Sequence, residues 1–531
     1  MSFDSKRIAA LSRDQRFQFK TVVIILLFGL AVALGISLWH KASINIAERE
    51  EVIIFPRKEI EITSRQECVR LLEEVRELRA DMQDALNEEG DGPATAPEAL
   101  SATLNKATPF LREEEISLFA NYADRMMSMT TIEPSQLQSF AFVAGPHSGL
   151  AGSMHGDLLR LAGQYEESLA AYERGALDPE TGADSCRRAL DLCRRRNWKD
   201  KVVRLYQQPG WREAVLEDRP GFDDDAWHVA QAAGDWTGVL RQVWQNVMQR
   251  LHSPVWVTLA ALCGMLWFLI FHFGAAVPVR LWWRGLLAFS LGLLSIPLTH
   301  VIDVLQEIWF GAQPEGSHLT DIFYCVSGIG LREEVAKLLL FVPMLFVLRK
   351  ATPAQVLAVA ACTGLGFGTL ENAGYFTGQL GTSVWGRFLT AGFAHSAMTG
   401  LTGLGLWQAV RNSKWLPHFA TVFVGVVLFH GLWDWSPQDV RLAGDYRYLM
   451  YALLVGLSWY FFGELLRYTQ PQPGVPSAVF VFLAGGTVLQ SVLMSVMSWH
   501  FGFRLGIGLA MAPVLHLFAI GAAMFYQLRR A

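Results

Sequence analysis

At 531 residues, with 52% hydrophobic and only 18% charged side chains, the chain does not have the composition of a water-soluble enzyme. A formal net charge of -4 with no basic stripe argues against a general nucleic-acid binder. Six cysteines without a CxxC pair, three of them (Cys263, Cys325, Cys362) in apolar runs, give little support to a disulfide framework or a cysteine metal site.

The first twenty residues are basic, with Lys6, Arg7, Arg13, Arg16 and Lys20 against Asp4 and Asp14. An apolar run from Thr21 to Trp39 follows, long enough to cross a hydrocarbon core of ~30 Å. No A-x-A cleavage site follows it, so an uncleaved anchor is expected, making 1–40 a cytoplasmic start plus first span. Residues 41–251 read as an exported, mostly helical soluble domain, with a charged helical pattern over Ser64–Asn87 and a linker over Gly90–Thr103. From Gly156 the chain resembles a tetratricopeptide repeat, with Gly156, Leu159, Gly163, Tyr165 and Tyr172 at its small and large positions. Tyr165, Trp198 and Trp236 recur near that repeat's period of ~34 residues. A generic helical bundle is the competing reading; stacked hairpins would offer a concave face to a protein or peptide partner.

From residue 252 onward the sequence is nearly all membrane. Spans are expected at Pro254–Ala276, Gly285–Leu305, Ile322–Val347, Pro353–Phe376, Phe388–Val410, Phe419–Trp435, Tyr448–Leu466, Ala478–Trp499 and Leu505–Gln527, about ten with the first. The expected fold is all-α: a polytopic helical membrane protein with an inserted soluble helical, TPR-like domain. Loops on the side of the N-terminus hold more Lys and Arg than those opposite, so both termini are expected in the cytoplasm and 41–251 outside.

Within two turns of the Ile322–Val347 span stand Arg332, Glu333, Glu334 and Lys337. An ionised side chain near mid-bilayer costs roughly 3 kcal/mol, so these groups need partners or a purpose. Glu333 and Lys337 lie at i,i+4 and could neutralise one another, which leaves Glu334 unexplained. The next span repeats Phe367, Glu371 and Tyr375 on one face, beside Gly364, Gly366 and Gly368, which would let a neighbour approach closely. His395 stands among Gly, Ala and Ser in the following span, and His430 and Asp434 sit one turn apart in the next. All of these fall in the outer halves of their spans. His300 and Asp303 are expected to be structural.

Glu and His are the groups that activate water: a carboxylate takes its proton, an imidazole orients it or protonates a leaving amine. A second His with Asp could hold a developing oxyanion. Alternatively Glu334, Glu371, His395 and His430 supply a zinc-like ligand set, although HExxH is absent. No Ser or Cys sits in a nucleophile signature, and no Gly-rich phosphate loop is present.

Glu333-Glu334-x-x-Lys337, Phe367-x3-Glu371-x3-Tyr375, His395 and His430-x3-Asp434, in order on successive spans, resemble the PrsW family of intramembrane proteases. That family is similar to the CAAX prenyl endopeptidases and bacteriocin-immunity membrane proteins. The likeness covers about Gly285 to Leu466. It implies peptide-bond hydrolysis with Glu333 as water-activating base, His395 assisting, and His430 and Asp434 as an oxyanion-binding pair. Relatives of CAAX type often carry Asn at the last position, and an ionised Asp434 would repel an oxyanion unless protonated or paired. The expected protein is therefore an endopeptidase of the bacterial inner membrane, glutamic or metal-dependent, acting on membrane proteins such as anti-sigma factors. The rivals are a proton- or cation-coupled transporter and a catalytically inactive peptide-binding or immunity protein.

Overall fold

In a computed structural model, the described residues are 5–39, 111–128, 148–216, 226–310, 318–378, 383–435, 443–469 and 475–530, with isolated positions between 68 and 109. They form helices and turns with no strand among them. Most of the expected Ser64–Asn87 helix and all of the Gly90–Thr103 linker lie outside the described residues. The chain divides into two compact units, Glu50–Gln245 and a second made of Met1–Arg49 with Asn246–Ala531.

Glu50–Gln245 is built of short amphipathic helices joined by one recurring turn. Helices Gly149–Leu161 and Gly182–Arg195 close on Gly163 (φ 76°) and Asn197 (φ 57°), and Ala226–Ala232 closes on Gly234 (φ 76°). Each left-handed residue donates to a carbonyl three residues back (Arg160, Arg194, Gln231). The residue after it donates to one five back (Leu159, Cys193, Ala230). This paired closure caps the last carbonyls of a helix, and Gly or Asn tolerates the positive φ it needs. Tyr165, Trp198 and Trp236 follow these turns, which is the physical basis of the repeat seen in the sequence. Gly152 permits the close crossing of the first hairpin, since a side chain there would meet the Gly175 amide nitrogen at 2.9 Å.

Asp157 is buried at the centre of this unit. It accepts from Arg76 Nε at 2.7 Å, Tyr122 Oη at 2.9 Å and Tyr172 Oη at 2.6 Å, while Arg76 also bonds Asp184. Burial by itself would raise both carboxyls, but the Arg76 and Arg188 guanidinium groups outweigh it and hold them below the ordinary carboxylate range. Stability from these groups is therefore present above the unfolded carboxyl value of ~3.9 and is lost as acid titrates the folded carboxyls. Asp157→Ala leaves Arg76 with Asp184 alone and takes the acceptor from the buried Tyr122 and Tyr172 hydroxyls; it should cost about 3–5 kcal/mol, read as a fall in the unfolding temperature of this unit by circular dichroism.

Among the described residues of the second unit, six helices are long and apolar enough to cross a membrane: Gln15–Ser37, Pro254–Gly274, Val279–Gln306, Pro353–Thr377, Ser413–Trp435 and Ala478–Phe501. The protein is thus an all-α polytopic membrane protein. Helix Ala391–Arg411 sits at the middle of the bundle, buried over most of its length and lined with Gly, Ala, Ser and Thr. Two of the expected spans are not continuous helices. Residues 318–347 run as His318–Phe323, a wide π-turn segment Tyr324–Gly330, Leu331–Phe341 and, after Pro343, Met344–Val347. Leu505–Gln527 is divided between Phe503–His516 and Phe518–Arg530, with Pro513 weakening the ladder just before the break.

The glycines of Pro353–Gly378 (the Glu371 helix) serve two neighbours. Gly366 lies against helix Trp282–Phe310, where a side chain would meet Leu293 N at 2.9 Å. Gly364 and Gly368 lie against Ala391–Arg411 (the His395 helix), where side chains would meet Thr399 Oγ1 at 2.7 Å and His395 Cδ2 at 3.2 Å. Likewise Gly330 abuts Gly431 of Leu416–Trp435 (the His430 helix), its added carbon falling 2.9 Å from Gly431 N. In a bundle without hydrophobic driving force between helices, such small-residue contacts supply the close packing.

Candidate active site

The close crossings bring one end of four helical segments together. Glu333 and Glu334 stand on the first turn of Leu331–Phe341, immediately after the π segment, and Lys337 one turn on. Glu371 is near the C-terminal end of its helix, His395 on the first turns of the next, and His430 on the penultimate turn of its own. Glu334, Lys337, His395 and His430 are buried, and Glu333 keeps 12% side-chain exposure.

Lys337 is the hub. Its ammonium donates to Glu334 Oε1 at 2.8 Å, Glu333 Oε2 at 3.2 Å and His395 Nδ1 at 3.0 Å, and lies 3.9 Å from the centre of the Phe367 ring. An ammonium has only donors, so Nδ1 of His395 accepts and its Nε2–H donates to Glu371 Oε2 at 2.9 Å. His430 is held the other way round: Nδ1 bonds Glu334 Oε1 at 2.8 Å, which turns Nε2 toward Glu333 Oε2 and Asp434 Oδ2, both at 3.4 Å. The two imidazole rings are 5.2 Å apart. Each ring thus has one nitrogen tied to a carboxylate; the other is held by Lys337 in His395 and faces Glu333 and Asp434 in His430.

The sequence motifs all reach this cluster, though in different ways. Phe367 floors Lys337, Glu371 fixes His395, and Asp434, at 28% side-chain exposure, is the shallow rim beside His430. Tyr375 does not enter; it is half exposed, with its ring 3.7 Å from the Arg387 guanidinium. Arg387 itself was missed, since a lone arginine between two spans looks like an ordinary loop charge. It donates to Glu371 Oε2 and to Asn372 Oδ1, both at 2.6 Å, so it clamps the carboxylate that orients His395. Its place sixteen residues after Glu371, at the foot of the His395 span, was the available signal. Arg332 turns away from the cluster and pairs with Asp303.

Glu333, His395 and His430 each offer a ligand atom, all within 4.8 Å of one another. Two imidazoles and a carboxylate are the three-ligand set of a catalytic zinc site, and carboxylates on the far ring nitrogens are the usual outer support. The donor set matches a divalent ion in kind, and an ion held there would displace the Lys337 ammonium that bonds Glu333 Oε2 and His395 Nδ1. Glu334 and Glu371, included in the ligand set expected from sequence, face ring nitrogens instead.

The class that fold and site describe is a membrane helix bundle with acids and imidazoles gathered in a protected pocket, groups suited to activating water. Residues 280–460 match the sequence model of the PrsW family of intramembrane metalloproteases. Neither a curated protein nor a solved structure matches the chain.

Proposed function

We propose that this protein is an endopeptidase of the bacterial inner membrane that cleaves membrane-anchored proteins, with the Glu333–His395–His430 pocket as its active site. The observation that carries the reading is the opposed tethering of the two imidazoles, which turns His430 Nε2 toward Glu333 and sets His395 Nδ1 on the lysine that also bonds Glu333. Glu333, the partly exposed carboxylate, takes the proton from water that attacks the scissile carbonyl. His395, kept in one tautomer by Glu371 and bonded through Nδ1 to Lys337, holds the ammonium beside Glu333, and His430 donates toward the oxygen on which charge develops. Asp434 beside His430 steadies an imidazolium rather than binding the oxyanion itself. The proton held by Glu333 passes to the leaving amine.

If a divalent ion is resident, Glu333, His395 and His430 would hold it, and it would acidify water and polarise the carbonyl. The chain's own residues keep their orienting parts in that case. The positive-inside bias supports termini in the cytoplasm and a pocket toward the outer face, the side on which anti-sigma-factor-like regulators would be cut. The test is comparative membrane proteomics of cells with the natural chain and with Glu333→Gln. Single-span proteins should accumulate uncut in the variant; identical cleavage patterns in both would reject the reading and favour a peptide-binding protein.

A further inference from the structure

The acid–imidazole pocket takes up one end of the bundle. Helix Trp282–Phe310 shows which end is which, since Asp303 near its C-terminus pairs with Arg332 while Gly285 near its start lies against His272. At the His272 end the first span Gln15–Trp39 meets the last turn of Pro254–Gly274, the start of Ala478–Phe501 and the end of Phe518–Arg530 around a cavity of about 700 Å³. These are helix ends, so the cavity lies at the depth where a bilayer changes from acyl chain to headgroup.

Its lining is divided by chemistry. Two arginines, Arg13 and Arg529, with Gln18 and Ser477, make a polar rim, and no carboxylate is among the described residues that line it. Phe19, Leu483 and Phe525 make an apolar wall. The rim is tied in place: Arg13 Nη2 donates to Val475 O at 3.1 Å, Gln18 Nε2 to Ser12 O at 2.7 Å, and Ser477 N to Ser12 Oγ at 3.0 Å. A small soluble anion would have no use for the apolar wall, and a neutral lipid none for two guanidinium groups. One class of molecule has both halves.

We propose that this cavity binds an anionic phospholipid, its phosphate between Arg13 and Arg529 and an acyl chain along Phe19, Leu483 and Phe525. Guanidinium groups match phosphate oxygens bidentately, and basic pockets between membrane helices on the cytoplasmic side are suited to acidic headgroups. Bound there, the lipid joins the first and last membrane helices, far apart in sequence, at the end of the bundle away from the protease pocket. The proposal is independent of what that pocket does.

The test uses the full chain, delipidated in mild detergent, and reads the unfolding temperature and lipid retained in native mass spectrometry. Phosphatidylglycerol should raise the first and appear in the second, while phosphatidylcholine and inorganic phosphate do neither. With each arginine contributing about 1 kcal/mol, Arg529→Gln should weaken retention roughly fivefold and Arg13→Gln/Arg529→Gln roughly thirtyfold. Arg529 is exposed on the final turn, so its single variant decides the matter if the double variant does not fold. Equal response to the two lipids, an equal response to inorganic phosphate, or unchanged retention in Arg529→Gln would overturn the assignment.

Discussion

Purified protein carrying Glu333→Gln is expected to cleave a single-span membrane peptide at least about 10³-fold more slowly than the natural chain, with little change in unfolding temperature. The two halves of that expectation rest on different parts of the site. Glutamine keeps the shape and an acceptor oxygen for Lys337, and Glu333 is the most exposed acid on its helix, so the fold loses little. What disappears is the carboxylate that His430 Nε2 faces at 3.4 Å. Glu334→Gln is the informative contrast. It alters the buried acid that bonds both Lys337 and His430, so turnover and unfolding temperature should fall together. Elemental analysis beside the kinetics distinguishes two parts for Glu333: metal lost with the side chain marks a ligand, whereas turnover lost at constant metal content marks a base. Natural turnover in Glu333→Gln would remove this residue from the chemistry.

Much of the pocket was legible because charge is so costly in apolar sequence. Glu333, Glu334, Lys337, Glu371, His395, His430 and Asp434 stood out against otherwise apolar runs, and their order on successive spans served to group them. Arg387 shows the limit of that signal. Near a span end a positive charge is ordinary, and only the folded chain shows that it reaches back to Glu371. Pairing across elements was also invisible: Asp303 and Arg332 are neighbours only because helix Trp282–Phe310 packs beside Leu331–Phe341. The π segment Tyr324–Gly330 escaped for a different reason, since apolar periodicity cannot tell one helical winding from another over seven residues. In the Glu50–Gln245 unit the turns were more legible than the helices. Gly163, Asn197 and Gly234 sit where the backbone must go left-handed, and that requirement leaves a mark in residue type.

Replacing the lysine at the centre should have the largest effect on the folding of the membrane unit. Lys337→Met is expected to lower the stability of the membrane unit by about 3–5 kcal/mol, measured by denaturant unfolding in detergent. Lys337 is fully buried, and its ammonium is within bonding distance of two carboxylates and an imidazole nitrogen. Methionine fills nearly the same volume, so packing against Phe367 changes little while the carboxylates lose their nearest cation. Arg387 cannot replace it, being committed to Glu371 and Asn372. The penalty comes from acids left buried and unbalanced, so removing one of them should reverse most of it. Glu334→Gln in the Lys337→Met background keeps an oxygen for His430 Nδ1 while deleting a charge, and should recover most of the lost stability. A single variant as stable as the natural chain would mean that the acids are neutralised by something other than the lysine, a bound proton or a metal ion. Failure of the second change to rescue the first would place the cost in packing rather than charge.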